Sequence, residues 1–248
     1  MPDSSTIISV SEITKTFTVG PQEIHVLKGI DFSIQTGEFT IILGPSGCGK
    51  STLLHIILGL ETPSTGSVVF LGENIYANTD EDYRSNFRKK HIGMIYQQPN
   101  WIKSMNVVEN VAFPLLLLGM EKNQAVQRGL ELLQQVNLAD WAHYKPTELS
   151  GGQQQRIALA RCLANNPEII IADEPTGNLD YQAGQDVMQL LSDLNTQHGK
   201  TVIMVTHDLE YLRFARKAIR MLDGNVTNIY DKESIVDLLS EVHLKRGV

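Results

Sequence analysis

In the N-terminal part of the chain, short apolar runs alternate with turns. Ile7 to Val10, Val26 to Ile34 and Phe39 to Gly44 read as strands, and Gly37-Glu38 marks a turn between the last two. From Gly49 or Lys50 to about Leu60 the spacing changes. Leu53, Leu54, Ile57 and Leu58 recur on one helical face. Ser67 to Leu71 and Ile92 to Tyr96 predict two further strands. Val126, Leu130, Leu133 and Val136 then mark an amphipathic helix, with Gly129 counting against it, and Ile157, Leu159, Ala160 and Leu163 mark another. Glu168 to Asp173 and Thr201 to Thr206 read as buried strands. Between them Val187, Leu190, Leu191 and Leu194 fall at i, i+3, i+4, i+7. Strand, helix, strand is the unit of a parallel sheet, so the expected class is α/β, with a mostly helical segment interrupting the core.

Composition agrees with a globular chain and narrows its partners. The 248 residues suffice for one large domain or at most two small ones. Apolar residues make up 42% and charged residues 20%, which is ordinary for a folded domain. The most apolar run, Val111 to Met120, carries Pro114 and is far shorter than the roughly 20 residues a membrane-spanning helix needs. A soluble chain is expected, touching a membrane only through a partner. The net charge of −7 opposes nucleic-acid binding, and Arg88-Lys89-Lys90 reads as a solvated helix end. Two cysteines, Cys48 and Cys162, make no disulfide framework.

The candidate chemistry begins at Gly44-Pro45-Ser46-Gly47-Cys48-Gly49-Lys50-Ser51, followed by Thr52. This is the G-x-x-x-x-G-K-[ST] pattern, placed after an apolar strand and at the start of a helix. Glycines let backbone N–H groups curl around a phosphate, and the helix start adds its positive end. Lys50 supplies a charge for the β- and γ-phosphates, and Ser51 a hydroxyl for Mg²⁺. A nucleoside triphosphate is the implied ligand. At position 48 the loop needs a small side chain; a redox role for Cys48 would need a resolving partner that no sequence feature supplies.

Ile169 to Glu174 is an apolar strand ending in two carboxylates. Such a pair belongs at the carboxyl end of its strand, where ligands bind in open α/β sheets. Asp173 can serve the Mg²⁺ shell, and Glu174 can orient and polarise an attacking water.

Leu149-Ser-Gly-Gly-Gln-Gln-Gln-Arg156 resembles the signature of the ABC ATPases. Ser150 reads as a helix N-cap, with Gly151, Gly152 and Gln153 opening the helix and offering a second phosphate site. Other elements of that family's pattern follow in order over about residues 6–230. Phe17 resembles the ring that stacks on adenine. Gln97 resembles the glutamine reaching Mg²⁺ and water, the Asp180 segment the D-loop, and His207 the switch histidine. The resemblance implies a P-loop (RecA-like) core with an N-terminal antiparallel β subdomain and a helical insertion at about residues 98–164. The whole of 1–248 would be a single ATP-binding domain. It further implies ATP and Mg²⁺ as cofactors and a head-to-tail homodimer in which one copy's signature closes over the other's ATP. A transmembrane permease is the implied partner, at the inner, cytoplasmic face of the cell membrane.

The wording of the signature and of Glu174-Pro-Thr-Gly-Asn-Leu-Asp180 looks like the subgroup of lipoprotein-release, macrolide-export and antimicrobial-peptide-resistance ATPases. The short stretch after the cassette, with no added regulatory domain, points the same way, to export or mechanotransmission. A membrane regulator that moves no cargo would use the same motor, and a soluble ABC ATPase is the remoter alternative. The sequence departs from the subgroup at Gln98-Pro-Asn-Trp-Ile-Lys-Ser-Met105, in the region expected to receive the permease. Trp101 is there either an anchor for the partner or a ring packed under a loop.

Overall fold

A computed structural model of the chain describes residues 6–77 and 80–246. The elements run β1 (Thr6–Val19), β2 (Gln22–Gln35), β3 (Phe39–Leu43), α1 (Lys50–Ile57), β4 (Thr65–Phe70), β5 (Glu73–Asn74), α2 (Glu81–His91), β6 (Ile92–Tyr96) and α3 (Val107–Leu117). They continue with α4 (Lys122–Gln135), α5 (Gly151–Cys162), β7 (Ile169–Asp173), α6 (Tyr181–Thr196), β8 (Thr201–Thr206), β9 (Lys217–Leu222), β10 (Asn225–Tyr230) and α7 (Lys232–Arg246). The fold is α/β, with a P-loop core, an antiparallel sheet in its N-terminal part and the helices α3, α4 and α5 following one another between β6 and β7 in the chain.

The chain forms two compact units. One comprises the residues up to Ser85 together with those from Thr201 onward; the other is Asn86–Lys200. In the first unit, β2, β1, β4 and β5 form an antiparallel sheet in that order. β3 runs parallel to β8 on one side and β9 on the other, and β10 pairs antiparallel to β9. All five residues of β3 and all six of β8 are buried, which explains their unbroken apolar reading: a strand covered on both faces has no polar side to alternate with. The β9–β10 turn is Asp223-Gly224, both at positive φ (46° and 77°), the backbone of a two-residue hairpin that favours Asp-Gly.

In the second unit β6 and β7 pair in parallel, with Tyr96 opposite Asp173. α4 buries Ala125, Gly129, Leu132 and Leu133, so its face is turned slightly from the one expected through Val126 and Leu130. Gly129 lies inside the helix nonetheless, for a packing reason. A Cβ there would stand 3.1 Å from Val108 Cγ2 and 3.2 Å from Val108 O, so the glycine lets α3 and α4 approach closely. α3 starts on a capping box between Asn106 and Glu109 and holds Pro114 in its interior. Among the described residues, no helix is long and apolar enough to cross a membrane.

Candidate functional site

In the first unit, the loop after β3 is shaped by its glycines. Gly47 and Gly49 have φ of 80° and 102°, which other residues adopt only with strain. Gly49 enters α1 with no side-chain cap on the helix. The first N–H groups of α1 therefore have no side-chain partner and suit an anion. Lys50 is 6% exposed, and its ammonium donates to the carbonyls of Gly44 (2.8 Å) and Pro45 (2.9 Å). Those bonds hold the charge across the loop mouth. Ser51 is exposed, and Cys48 is buried at 4% exposure.

Phe17 lies near the free end of β1, opposite Ile24 of β2. With Val19 they make an exposed apolar platform suited to a flat ring. The Lys15 ammonium sits over the Phe17 ring, 4.8 Å from its centroid, a cation–π contact. His207 is exposed immediately beyond β8.

In the second unit, the pairing of β6 with β7 sets the geometry. Because Tyr96 is opposite Asp173, the next residues, Gln97 and Glu174, leave adjacent strand ends together. Gly177 completes the group: a Cβ there would be 2.7 Å from Gln97 Nε2, so the amide of Gln97 packs on that glycine. Glu174 adopts a left-handed backbone, φ 45°, and its carbonyl accepts from the Gly177 N–H at 3.1 Å. Among the described residues no three His, Cys, Asp or Glu side chains gather as a ready-made metal cage. Mg²⁺ is commonly held by one or two carboxylates with water and substrate phosphates, and the donors proposed for it, a Ser hydroxyl, a Gln amide and an Asp carboxylate, are oxygen ligands of the right hardness.

The segment from Ser150 opens on a cleft. Ser150 Oγ accepts from the Gln153 N–H (3.3 Å), and Gln153 Oε1 accepts from the Ser150 N–H (2.9 Å), a reciprocal cap on α5. Gly152 lies so close to α6 that a Cβ would be 2.8 Å from Ala183 Cβ. Asp180 caps α6 through Ala183 N–H at 2.9 Å. Ser150, Gly151, Gly152, Gln153 and Asp180 line a cleft of about 190 Å³, joined by Asn178. Arg156 and Asp186 also line it; Arg156, one helical turn beyond Gly152, closes the Leu149–Arg156 motif but was given no role from the sequence, and Asp186, six residues after Asp180, carried no such spacing signal.

Trp101 is bound by its own chain. Its indole N–H donates to Gln154 Oε1 at 2.8 Å, and the Arg161 guanidinium stands 4.6 Å from its ring centroid. Arg161 also donates to Asn100 O (3.0 Å), and Gln155 to Tyr96 O (2.9 Å). α5 therefore grips both sides of the Gln97 loop. Burial lowers the Arg161 pKa and raises that of Tyr96 from their ordinary values.

Residues 27–177 match the family model described as ABC transporter. An uncharacterized ABC transporter ATP-binding protein of Methanocaldococcus jannaschii is 45% identical over 226 residues, spanning 91% of this chain and 100% of the relative. The macrolide export ATP-binding/permease protein MacB of Bdellovibrio bacteriovorus is 45% identical over 88% of this chain but only 33% of its own length. Among solved structures, a dimeric post-hydrolysis state of the ATP-binding cassette MJ0796 bound to ADP and Pi is 42% identical. It covers 90% of this chain and 98% of the other with a TM-score of 0.83.

Proposed function

The chain belongs to the ABC transporter family of ATP-binding proteins, and from that premise we propose that two copies close head-to-tail around two ATP molecules and drive a membrane permease in export or mechanotransmission. The observation that supports this reading is that one chain carries both a glycine-shaped loop running into an uncapped helix at Gly44–Ser51 and a separate cleft at Ser150–Gln153; we read both as phosphate cradles. Two copies arranged in opposite senses would then build two equivalent sites, the commonest oligomer symmetry.

In this reading Phe17 stacks on adenine and the loop N–H groups with Lys50 hold the β- and γ-phosphates. Ser51, Gln97 and Asp173 would hold Mg²⁺, which when bound supplies charge neutralisation on the phosphates. Glu174 polarises the attacking water, with Gln97 orienting it, and His207 contacts the γ-phosphate. Ser150, Gly151, Gly152 and Gln153, with Asp180, engage the partner copy's ATP. The whole of 1–248 acts as one ATP-binding domain, with residues at about 98–164 as its helical insertion. The working place is the cytoplasmic face of the membrane, reached through the permease.

Glu174→Gln tests this. With MgATP it should accumulate as a dimer with little turnover and carry a permease with it from detergent-solubilised membranes. Monomeric Glu174→Gln with wild-type turnover would refute the assignment of Glu174. A trapped dimer that recovers only soluble partners would overturn the transport role and leave the ATPase intact.

A further inference from the structure

The turn joining β9 to β10 has no chemistry of its own, yet it is built into the back of the phosphate loop. Gly224 donates its N–H to the Cys48 carbonyl at 3.1 Å and accepts from the Lys28 N–H at 2.9 Å. One residue thus bonds the loop on one side and β2 on the other. The fit is tight. A Cβ on Gly224 would stand 2.4 Å from Val26 O and 3.1 Å from Val26 C, and its φ of 77° already disfavours a side chain. The loop is wedged from both directions. A Cβ on Gly44 would be 2.4 Å from Met221 O, and one on Gly49 would be 2.8 Å from Leu27 Cδ2 and 3.0 Å from Val26 O. The floor under the loop is therefore built largely of backbone, the Met221 and Val26 carbonyls, with the Leu27 side chain beside them, and backbone cannot yield as a flexible side chain does.

We propose that Gly224 is a positioning residue for ATP binding. Its two hydrogen bonds set the height of the Cys48 carbonyl and tie the phosphate loop to β2. Through the β1–β2 pairing, β2 also supports Phe17. The two ends of the nucleotide are thereby held at a fixed span by one glycine that touches neither. Placement of this kind matters because a phosphate cradle works by aiming several N–H groups at once, and a shift of about 1 Å can cost on the order of 10²-fold in a finely placed site. The inference rests on the reading of Gly44–Ser51 as the cradle.

The test compares Gly224→Ala with Gly72→Ala in the full chain. Gly72 has a similar φ of 83° but no atom within 4 Å of a Cβ, so its substitution carries the backbone strain without the contact. Gly224→Ala should raise the Kd for ATP and ADP by about tenfold or more, with a smaller loss in kcat at saturating ATP. Gly72→Ala should lower Tm and leave Kd unchanged. Equal Kd in the two variants would overturn the proposal. Lys50→Ala separates this from the cradle reading: if it binds ATP normally, the cradle itself is misassigned. Should Gly224→Ala not fold, hydrogen exchange on the wild-type chain decides. MgATP should slow exchange in residues 221–226 and not at residues 71–74, and an unchanged 221–226 segment refutes the coupling.

Discussion

Trp101→Phe isolates one bond in the clamp between α5 and the Gln97 loop. Phenylalanine keeps a ring under Arg161 and deletes the N–H that donates to Gln154 Oε1 at 2.8 Å. A neutral hydrogen bond contributes about 0.5–1.5 kcal/mol net. Phenylalanine is also a weaker partner than tryptophan for a guanidinium, in an interaction of about 0.5–2 kcal/mol overall, so a few tenths are added. The expected loss is about 1–2 kcal/mol in urea unfolding. Trp101→Ala also removes the half-buried ring and should cost more than Trp101→Phe. The decisive assay is a double-mutant cycle of Trp101→Phe with Gln154→Leu. Since both deletions remove the same bond, the pair should fall short of the summed single losses by about 1 kcal/mol. Turnover supplies the functional readout. Loosening the segment that follows Gln97 should lower kcat while ATP affinity, set by the phosphate loop, stays put. Additivity within about 0.3–0.5 kcal/mol would refute the clamp. So would an unchanged kcat in a variant that has lost the stability.

Thr40 lies fully buried in β3 with no hydrogen-bond partner for its hydroxyl, so Thr40→Val should stabilise the chain by about 1 kcal/mol or more in thermal or urea unfolding. Thr201→Val should do the opposite, because that hydroxyl accepts from the Gly37 N–H at 2.9 Å. Burial pushes the Cys162 thiol from its ordinary 9.0 up to about 12. The unfolded chain therefore loses this proton first as pH rises. The contribution to stability is intact below about pH 9 and falls progressively towards about pH 12, and Cys162→Ala should remove that part of the slope in unfolding measured across the window.

Strands with a single environment were the most legible parts of the chain. Ile92 to Tyr96 and Thr201 to Thr206 form with the bounds their apolar runs indicate. β1 and β2 are much longer than Ile7 to Val10 and Val26 to Ile34. Beyond Ile13, β1 carries mostly half-buried and exposed residues, and the pairing is interrupted by register shifts, which breaks any period of two. The helix from Lys50 ends at Ile57, before the Leu60 expected from its spacing. Its last turn gives way at Gly59, whose φ of 66° closes the helix. β9 and β10 went unread although Asp223-Gly224 advertises a hairpin; the strand ahead of it, with Arg220 between Ile219 and Met221, lacks a clean run. At the candidate site, the Gly44–Ser51 pattern and the Asp173-Glu174 pair stand out in the sequence because the chemistry proposed for them needs particular side chains. Gly224 and Gly177 sit in readable patterns, but what each approaches, Val26 and Gln97, is far off in sequence, as are the partners in the Gln154–Trp101–Arg161 clamp, and no local pattern encodes those pairings.

Glu174 shows how far the demands of a site can oppose those of the backbone. It follows a buried strand and opens a turn closed by the Gly177 N–H on its own carbonyl, at a φ of 45° that glycine or asparagine would meet more easily. Left-handed backbone costs an ordinary residue about 1–2 kcal/mol, so the position carries glutamate in spite of its conformation. Such strain persists where the surroundings over-determine it, and a reacting carboxylate is one reason for it to be kept. The comparison of Glu174→Gln with Glu174→Asn separates the two demands. Both replace the carboxylate by an amide and should cut turnover by about 10²–10⁴-fold. Both remove the same negative charge beside Asp173, so that effect cancels between them. Asparagine alone relieves the backbone, and Glu174→Asn should be the more stable by about 1 kcal/mol in urea unfolding. Equal stability of the two would show that the left-handed turn imposes no cost on glutamate, and the reading of this residue as strained for function would fall.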